Sequence, residues 1–166
     1  MPITISGSTG VAGVDGSAGT PSLQGTSTTT GIYYTTNVVA GSVSGTQKFR
    51  LDSAGIYAPA NAAAAIIGLT DAATIAVDMS LGNNFSVTLG GNRTLGNPTN
   101  LTAGQSGIIF LTQDGTGSRT LAYSSYWKFP NGVTPVLTTT ASAVDAIIYT
   151  VRTTTSITCN YALNIG

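Results

Sequence analysis

No window of this chain places apolar residues at i, i+3, i+4 and i+7 with charges on the far side, the stripe an amphipathic helix needs. What recurs instead is a short apolar run cut by Gly, Asn, Pro or Thr. The stretch LGGNRTLGNPTNLTAGQSGIIFLTQDGTGSRTL, residues 89–121, keeps that rhythm throughout. β-Branched residues with this punctuation favour strands and turns. The chain is therefore read as all-β. Whether those pauses are loops for chemistry or turns of a scaffold decides what it does.

Residues that could solvate a free-standing surface are scarce. Only 7 % of the 166 residues are charged, against roughly 25 % in an average soluble domain. All six acids are Asp, six Lys and Arg balance them, and Glu and His are absent. Thr, Ser, Asn, Gly and Ala must fill the surface, which suits a protein that hides much of it in an assembly. Zero net charge gives no footprint for nucleic acid. No run reaches the ~18 apolar residues of a membrane helix, so no membrane insertion is expected. The start, MPITISGSTG, lacks the basic and apolar regions of a signal peptide. The single cysteine, Cys159, rules out an intrachain disulfide and a multi-Cys metal site, and reads as a buried apolar residue in TSITCNYAL.

Composition divides the chain in three. Residues 1–30 are rich in Gly, Ser and Thr with few large side chains, too few for a core. They read as an extended arm that orders on a partner, with Ile3, Ile5, Val11 and Val14 as its apolar contacts. Residues 31–69 hold two strand-like stretches joined at SVSGTQ, with Phe49 and Leu51 on one face and Lys48, Arg50 and Asp52 on the other. A lone hairpin is marginal in water; the expected neighbour is a copy of itself. PANAAAAIIGL, residues 59–69, is the one place for a short helix or an uncharged connector. Residues 70–166 alternate regularly, with strands expected at 74–79, 84–89, 107–113, 119–123, 136–137, 144–152 and 155–163. Spacing of this kind predicts a β-sandwich or jelly roll.

Candidate chemistry is sparse. Without histidine, no imidazole base can activate a nucleophile. Asp78, Asp114 and Asp145 could pair as carboxylates, as in glycoside cleavage. Yet Asp78 and Asp145 sit in strand-like runs, read as facing outward, and Asp114 opens a tight Asp-Gly turn. GGNRTLGNP has glycines but no following lysine, so it is not a phosphate-cradling loop. No catalytic residue, metal ligand or cofactor-binding residue is assigned, and no enzyme is expected. Tyr123, Tyr126, Trp127 and Phe129 cluster around Lys128; such rings suit either a glycan or a core or subunit contact, the latter favoured. Arg93 and Arg119, each followed by Thr-Leu, read as interface or loop anchors.

Two segments resemble known families. Asp15-Gly16-Ser17, Pro21-Ser22, Thr30-Gly31-Ile32-Tyr33 and the run from Phe49 to Gly55 resemble a module of phage tail and head fibres. This chain lacks the acidic residues usual before Gly-Ile-Tyr there and has a shortened middle. The stretch TLGGNRTLGNPTNLTAGQSGIIFLTQDGTGSRTLAYSSYWKFPNG, followed by VDAIIYTV, resembles a C-terminal domain of phage and gene-transfer-agent structural proteins. The resemblance implies a virion protein at the particle surface: a short fibre, spike or capsid decoration. It also implies a homotrimer, held to a major capsid or tail protein through its N-terminal arm. The chain's length favours a head fibre or capsid decoration over a main tail fibre. A carbohydrate-binding adhesin for a host-surface glycan is the alternative.

Overall fold

The structure, a computed structural model, describes residues 16–24, 26–58 and 63–166. The four arm residues Ile3, Ile5, Val11 and Val14 lie outside the described residues. The chain divides between Ala63 and Ala64 into two compact units. Strands dominate both, and the only helical pieces described are 3-10 turns at Met79–Leu81 and Pro130–Gly132. The all-β reading holds.

The first unit is a five-stranded antiparallel meander where the sequence suggested a single hairpin. Its strands are β1 (Leu23–Gln24), β2 (Gly31–Thr35), β3 (Val38–Val43), β4 (Thr46–Asp52) and β5 (Gly55–Tyr57), hydrogen-bonded in chain order. The turn foreseen at SVSGTQ is a two-residue link in which Ser44 and Gly45 both have positive φ, as the strand twist demands. Asp52 caps the next link by accepting from Ala54 N–H at 2.9 Å. A β-bulge at Lys48 separates the pairs Gly41–Phe49 and Ser42–Gln47. It carries Gln47 to the face of Tyr33, whose hydroxyl donates to Gln47 Oε1 at 2.8 Å. Residues 23 and 24, read as part of the arm, already belong to this sheet.

The second unit packs two sheets around one core, as the β-sandwich expectation has it, but the chain is wound, and this corrects the jelly-roll alternative. Strands β6 (Ile66–Gly68), β8 (Asn84–Leu89) and β10 (Ser106–Gln113) lie side by side and parallel in one sheet. Between them the chain visits a second parallel sheet as β7 (Thr74–Ile75), β9 (Arg93–Leu95) and β11 (Leu121–Tyr123). Each pair β6–β7, β8–β9 and β10–β11 is thus one coil of a three-coil solenoid. A jelly roll would need antiparallel neighbours throughout. Alternation within short strands cannot distinguish the two, because both bury one face. The larger sheet continues in the order β10, β13 (Val144–Thr153), β14 (Ser156–Ala162) and β12 (Trp127–Lys128), with β13 antiparallel to both β10 and β14. Residues 66–68, read as connector, are therefore an edge strand of this unit. Residues 136–137 form no strand, although Leu137 is buried.

One core fills the space between the two sheets. Phe85, Val87, Leu89, Ile109 and Leu111 from the larger sheet meet Ile75, Leu95 and Leu121 from the smaller one. Side chains stack coil upon coil: Ile67, Phe85 and Ile109 share one row, and Ile75, Leu95 and Tyr123 share another. Gly107 is required where the third coil passes the second, since a Cβ there would overlap the Asn83 carbonyl group. We predict that Gly107→Ala destabilises the chain by about 2 kcal/mol or more, through forced displacement of backbone. Denaturant melts of the two proteins measure this; equal midpoints would refute the close approach.

Candidate functional site

The corners of the coils gather the residues singled out in the sequence. At the first corner Asp71 accepts two bonds from Arg93, Nε to Oδ1 at 2.7 Å and Nη2 to Oδ2 at 2.8 Å. The same carboxylate accepts from Gly90 N–H at 3.1 Å, so it clasps the second corner. At the third corner Asp114 receives Arg119 Nη2 at 2.7 Å and Nε at 3.1 Å. Asp114 also receives the N–H groups of Thr116 and Gly117 at 3.0 and 2.9 Å. Gly117, at φ 73°, must be glycine there, because a Cβ would press on the backbone of Thr139 and Ala141. The four charges lie close enough to influence one another. The hydrogen bonds from Arg93 hold the Asp71 carboxyl below the usual carboxylate range. Those from Arg119 hold Asp114 down at about 2.

Neutral side chains complete the corners. Gln113 is buried at the end of β10 and binds one residue twice: its Nε2 donates to Arg119 O at 3.0 Å, and its Oε1 accepts from Arg119 N–H at 2.8 Å. Asn92 Oδ1 accepts from Thr120 N–H at 3.0 Å, while Thr120 O accepts from Arg93 N–H at 2.9 Å. Gln105 Nε2 donates to the carbonyls of Met79 and Gly82 and to Asn83 Oδ1. These bonds replace ladder bonds where the chain leaves the sheets. Both Arg-Thr-Leu triplets thus stand at neighbouring corners, and β9 pairs with the strand that starts at the leucine of the second, Arg93 opposite Leu121. Sequence reading placed residues 93–95 in a turn, since three residues between glycines carry no visible alternation.

The remaining acids occupy separate places with separate partners. Asp78 lies between β7 and the turn Met79–Leu81, which it caps by accepting from Ser80 N–H at 2.9 Å. Asn100 donates to it at 2.8 Å, and that bond chiefly lowers its pKa. Asp145 does not face outward as expected: it shares the inward side of β13 with Ile147, Tyr149 and Val151 and is 2 % exposed. Its carboxylate is satisfied by Thr138 N–H at 2.7 Å, Thr138 Oγ1 at 2.8 Å and Asn164 N–H at 2.8 Å. An acid inside an apolar strand signals such a clasp only when its partners, 7 and 19 positions away, are known.

The aromatic cluster is packed into the core. Trp127 and Phe129 are buried, and the indole N–H donates to Gly96 O at 2.9 Å. Tyr123 and Phe129 meet edge to face with centroids 4.7 Å apart, and Tyr161 adds an edge contact to Phe129 at 6.3 Å. Burial raises the Tyr123 hydroxyl pKa and pushes the Cys159 thiol up to about 12. Tyr126 keeps part of its ring in solvent, and its N–H donates to Asn97 Oδ1 at 2.9 Å. A concavity among the described residues lies elsewhere, a groove of about 290 Å3 lined by Ile67, Leu69, Thr74, Val77, Asp78 and Thr99.

Residues 75–153, from the end of β7 to the end of β13, match the family model described as "Putative phage tail fibre C-terminal domain". The match covers the second and third coils and supports a phage fibre-type structural protein, a component of the virion. No curated protein and no solved structure matches the chain.

The Asp114 carboxyl titrates lower in the folded chain than the ordinary 3.8, so its contribution is complete above that value and is lost as pH falls toward about 2. Asp114→Asn should flatten the acid limb of the stability curve between these limits; an unchanged acid limb in melts across that range would count against the clasp. Trp127→Ala should cost about 3–5 kcal/mol, as for other buried large-to-small changes. A Trp127→Ala protein as stable as the parent would show that the indole is not a core anchor.

Proposed function

We propose that the chain is a non-enzymatic subunit of a short phage fibre. In this reading it assembles as a homotrimer, its N-terminal arm docks on a tail or capsid protein, and its second unit projects from the particle surface. The observation that carries the reading is the coincidence of the matched family segment with the coil stack. That segment holds Arg93, Asp114, Arg119, Asn92 and Gln113, whose polar groups close the corners of the stack on one another. Such closure suits a part that must keep its shape outside a cell. The small number of charges supports burial of surface between copies, since solubility of a free subunit ordinarily rests on charge. Within the family description, a tail position is favoured over a head position.

Glycan recognition is the weaker reading. Trp127 and Phe129 are buried, so Tyr126 is the ring left to stack on a sugar from the run 126–129.

Light scattering of the purified full chain on a sizing column should return the mass of three subunits. Electron microscopy of intact particles labelled with an antibody to the second unit should place it on a fibre. A monomer sinks the trimer, and particles that lack the chain sink the virion assignment.

A further inference from the structure

The five-stranded sheet of the first unit has its apolar residues on the wrong side for a protein that stands alone. One face carries Tyr33, Ala40, Ser42 and Gln47, and it is the covered one: Tyr33, Ala40 and Ser42 are buried. Arg50 and Asp52 lie on that face too, paired at 2.8 Å, with the Arg50 guanidinium 4.6 Å from the Tyr57 ring centre. The register puts the opposite residues on the other face. Leu23 lies beside Ile32, which lies beside Gly41 and then Phe49; Tyr34, Val39, Leu51 and Ile56 form the next row. All of these large side chains are exposed, Leu51 by 50 % and Ile56 by 84 %. Gly41 leaves the space that the Phe49 ring fills, so the face is continuous across β2, β3 and β4.

Size and chemistry both speak to the occupant. The exposed fractions amount to on the order of 700 Å2 of apolar surface, above the few hundred Å2 usual for a monomer and near the roughly 800 Å2 each partner gives a standard interface. Arg50 and Asp52 lie on the other face, which leaves the bulge residue Lys48 as the one charged side chain of β1–β5 beside this one, too little for a charge pattern by which a foreign partner could be selected. Interfaces between different, separately stable proteins are about as polar as ordinary surface, whereas those between copies of one chain are more apolar. A face this apolar matches the second kind.

We propose that this face of β1–β5 is where copies of the chain pack on one another, through Phe49, Leu51 and Ile56. The proposal rests on the oligomeric reading above and names its surface. Two substitutions at these exposed positions, Leu51→Lys with Ile56→Lys, place like charges opposite one another in the assembly while costing the isolated sheet little. As a control, Val133→Lys with Val136→Lys adds the same charge to the second unit, where both side chains are exposed, by 62 % and 82 %.

Sedimentation of the full chain over a concentration series should show the parent and the control associating alike. The Leu51/Ile56 variant should need at least a hundredfold higher concentration, with its β-type circular dichroism retained. Leu51→Cys gives a milder second test, since Cys159 is buried. A short bis-maleimide should link copies through Cys introduced at 51 and not through Cys introduced at 136. Should the parent itself sediment as a monomer, the oligomeric reading falls and this one with it. A parent that associates while the Leu51/Ile56 variant associates equally, or Leu51→Cys that fails to cross-link, overturns only the choice of face.

Discussion

A chain that winds instead of folding back must bring each coil into parallel register with the last, and every departure from the sheets leaves peptide groups without ladder partners. That constraint explains most of the polar residues in the second unit. Asp71, Asn92, Gln105, Gln113 and Asp114 each accept from or donate to main-chain groups outside the ladders. An unmet peptide group in such a place costs about 1–3 kcal/mol. The corners therefore need side chains that mimic the backbone, and Asn, Gln and Asp do this best.

The arginines are explained by the same need. A carboxylate that has accepted backbone N–H groups at a corner is a fixed negative charge beside the next coil. Arg93 and Arg119 balance Asp71 and Asp114. The fork geometry of guanidinium matters here, since a lysine could not make the two-point contact seen at Asp71. The Arg93–Asp71 pair joins successive corners and the Arg119–Asp114 pair closes one, both without adding net charge, in keeping with the balance of six against six.

Much of the fold was readable in the sequence, for physical reasons. Strands β8, β10, β13 and β14 were legible because each is six residues or longer with one buried side, and the period of two shows clearly over that length. Strands β6, β7, β9, β11 and β12 are two or three residues long, too short to show a period. Their parallel pairing sets the winding, so the expected pair of packed sheets is present while a jelly-roll connectivity gives way to a solenoid. The inward turn of Asp145 escaped notice because its partners are Thr138 and Asn164, remote in sequence. For the aromatic run, the core role weighed beside a glycan role is the one Trp127 and Phe129 occupy, with Gly96 supplying the indole's acceptor. In the first unit the alternation of Phe49 and Leu51 against Arg50 and Asp52 was visible, but not which side the fold leaves open.

The coils are unequal. The step from Ile66 to its neighbour Asn84 is shorter than that from Asn84 to Ile108, and the step from Thr74 to Thr94 is shorter than that from Arg93 to Leu121. The ladders stay in register regardless, because the extra residues are taken up between strands. Chain length at the corners is thus uncoupled from the core, and closing a longer loop adds only about 0.6 kcal/mol per doubling. The exposed pair Thr102 and Ala103 can therefore take inserted residues while the stacked rows of Phe85, Leu95 and Ile109 and the bonds of Gly96, Asn97, Asn100 and Gln105 stay as they are. A scaffold of this sort can vary what it shows to the outside without refolding, and the same tolerance makes that stretch a natural seat for a grafted peptide.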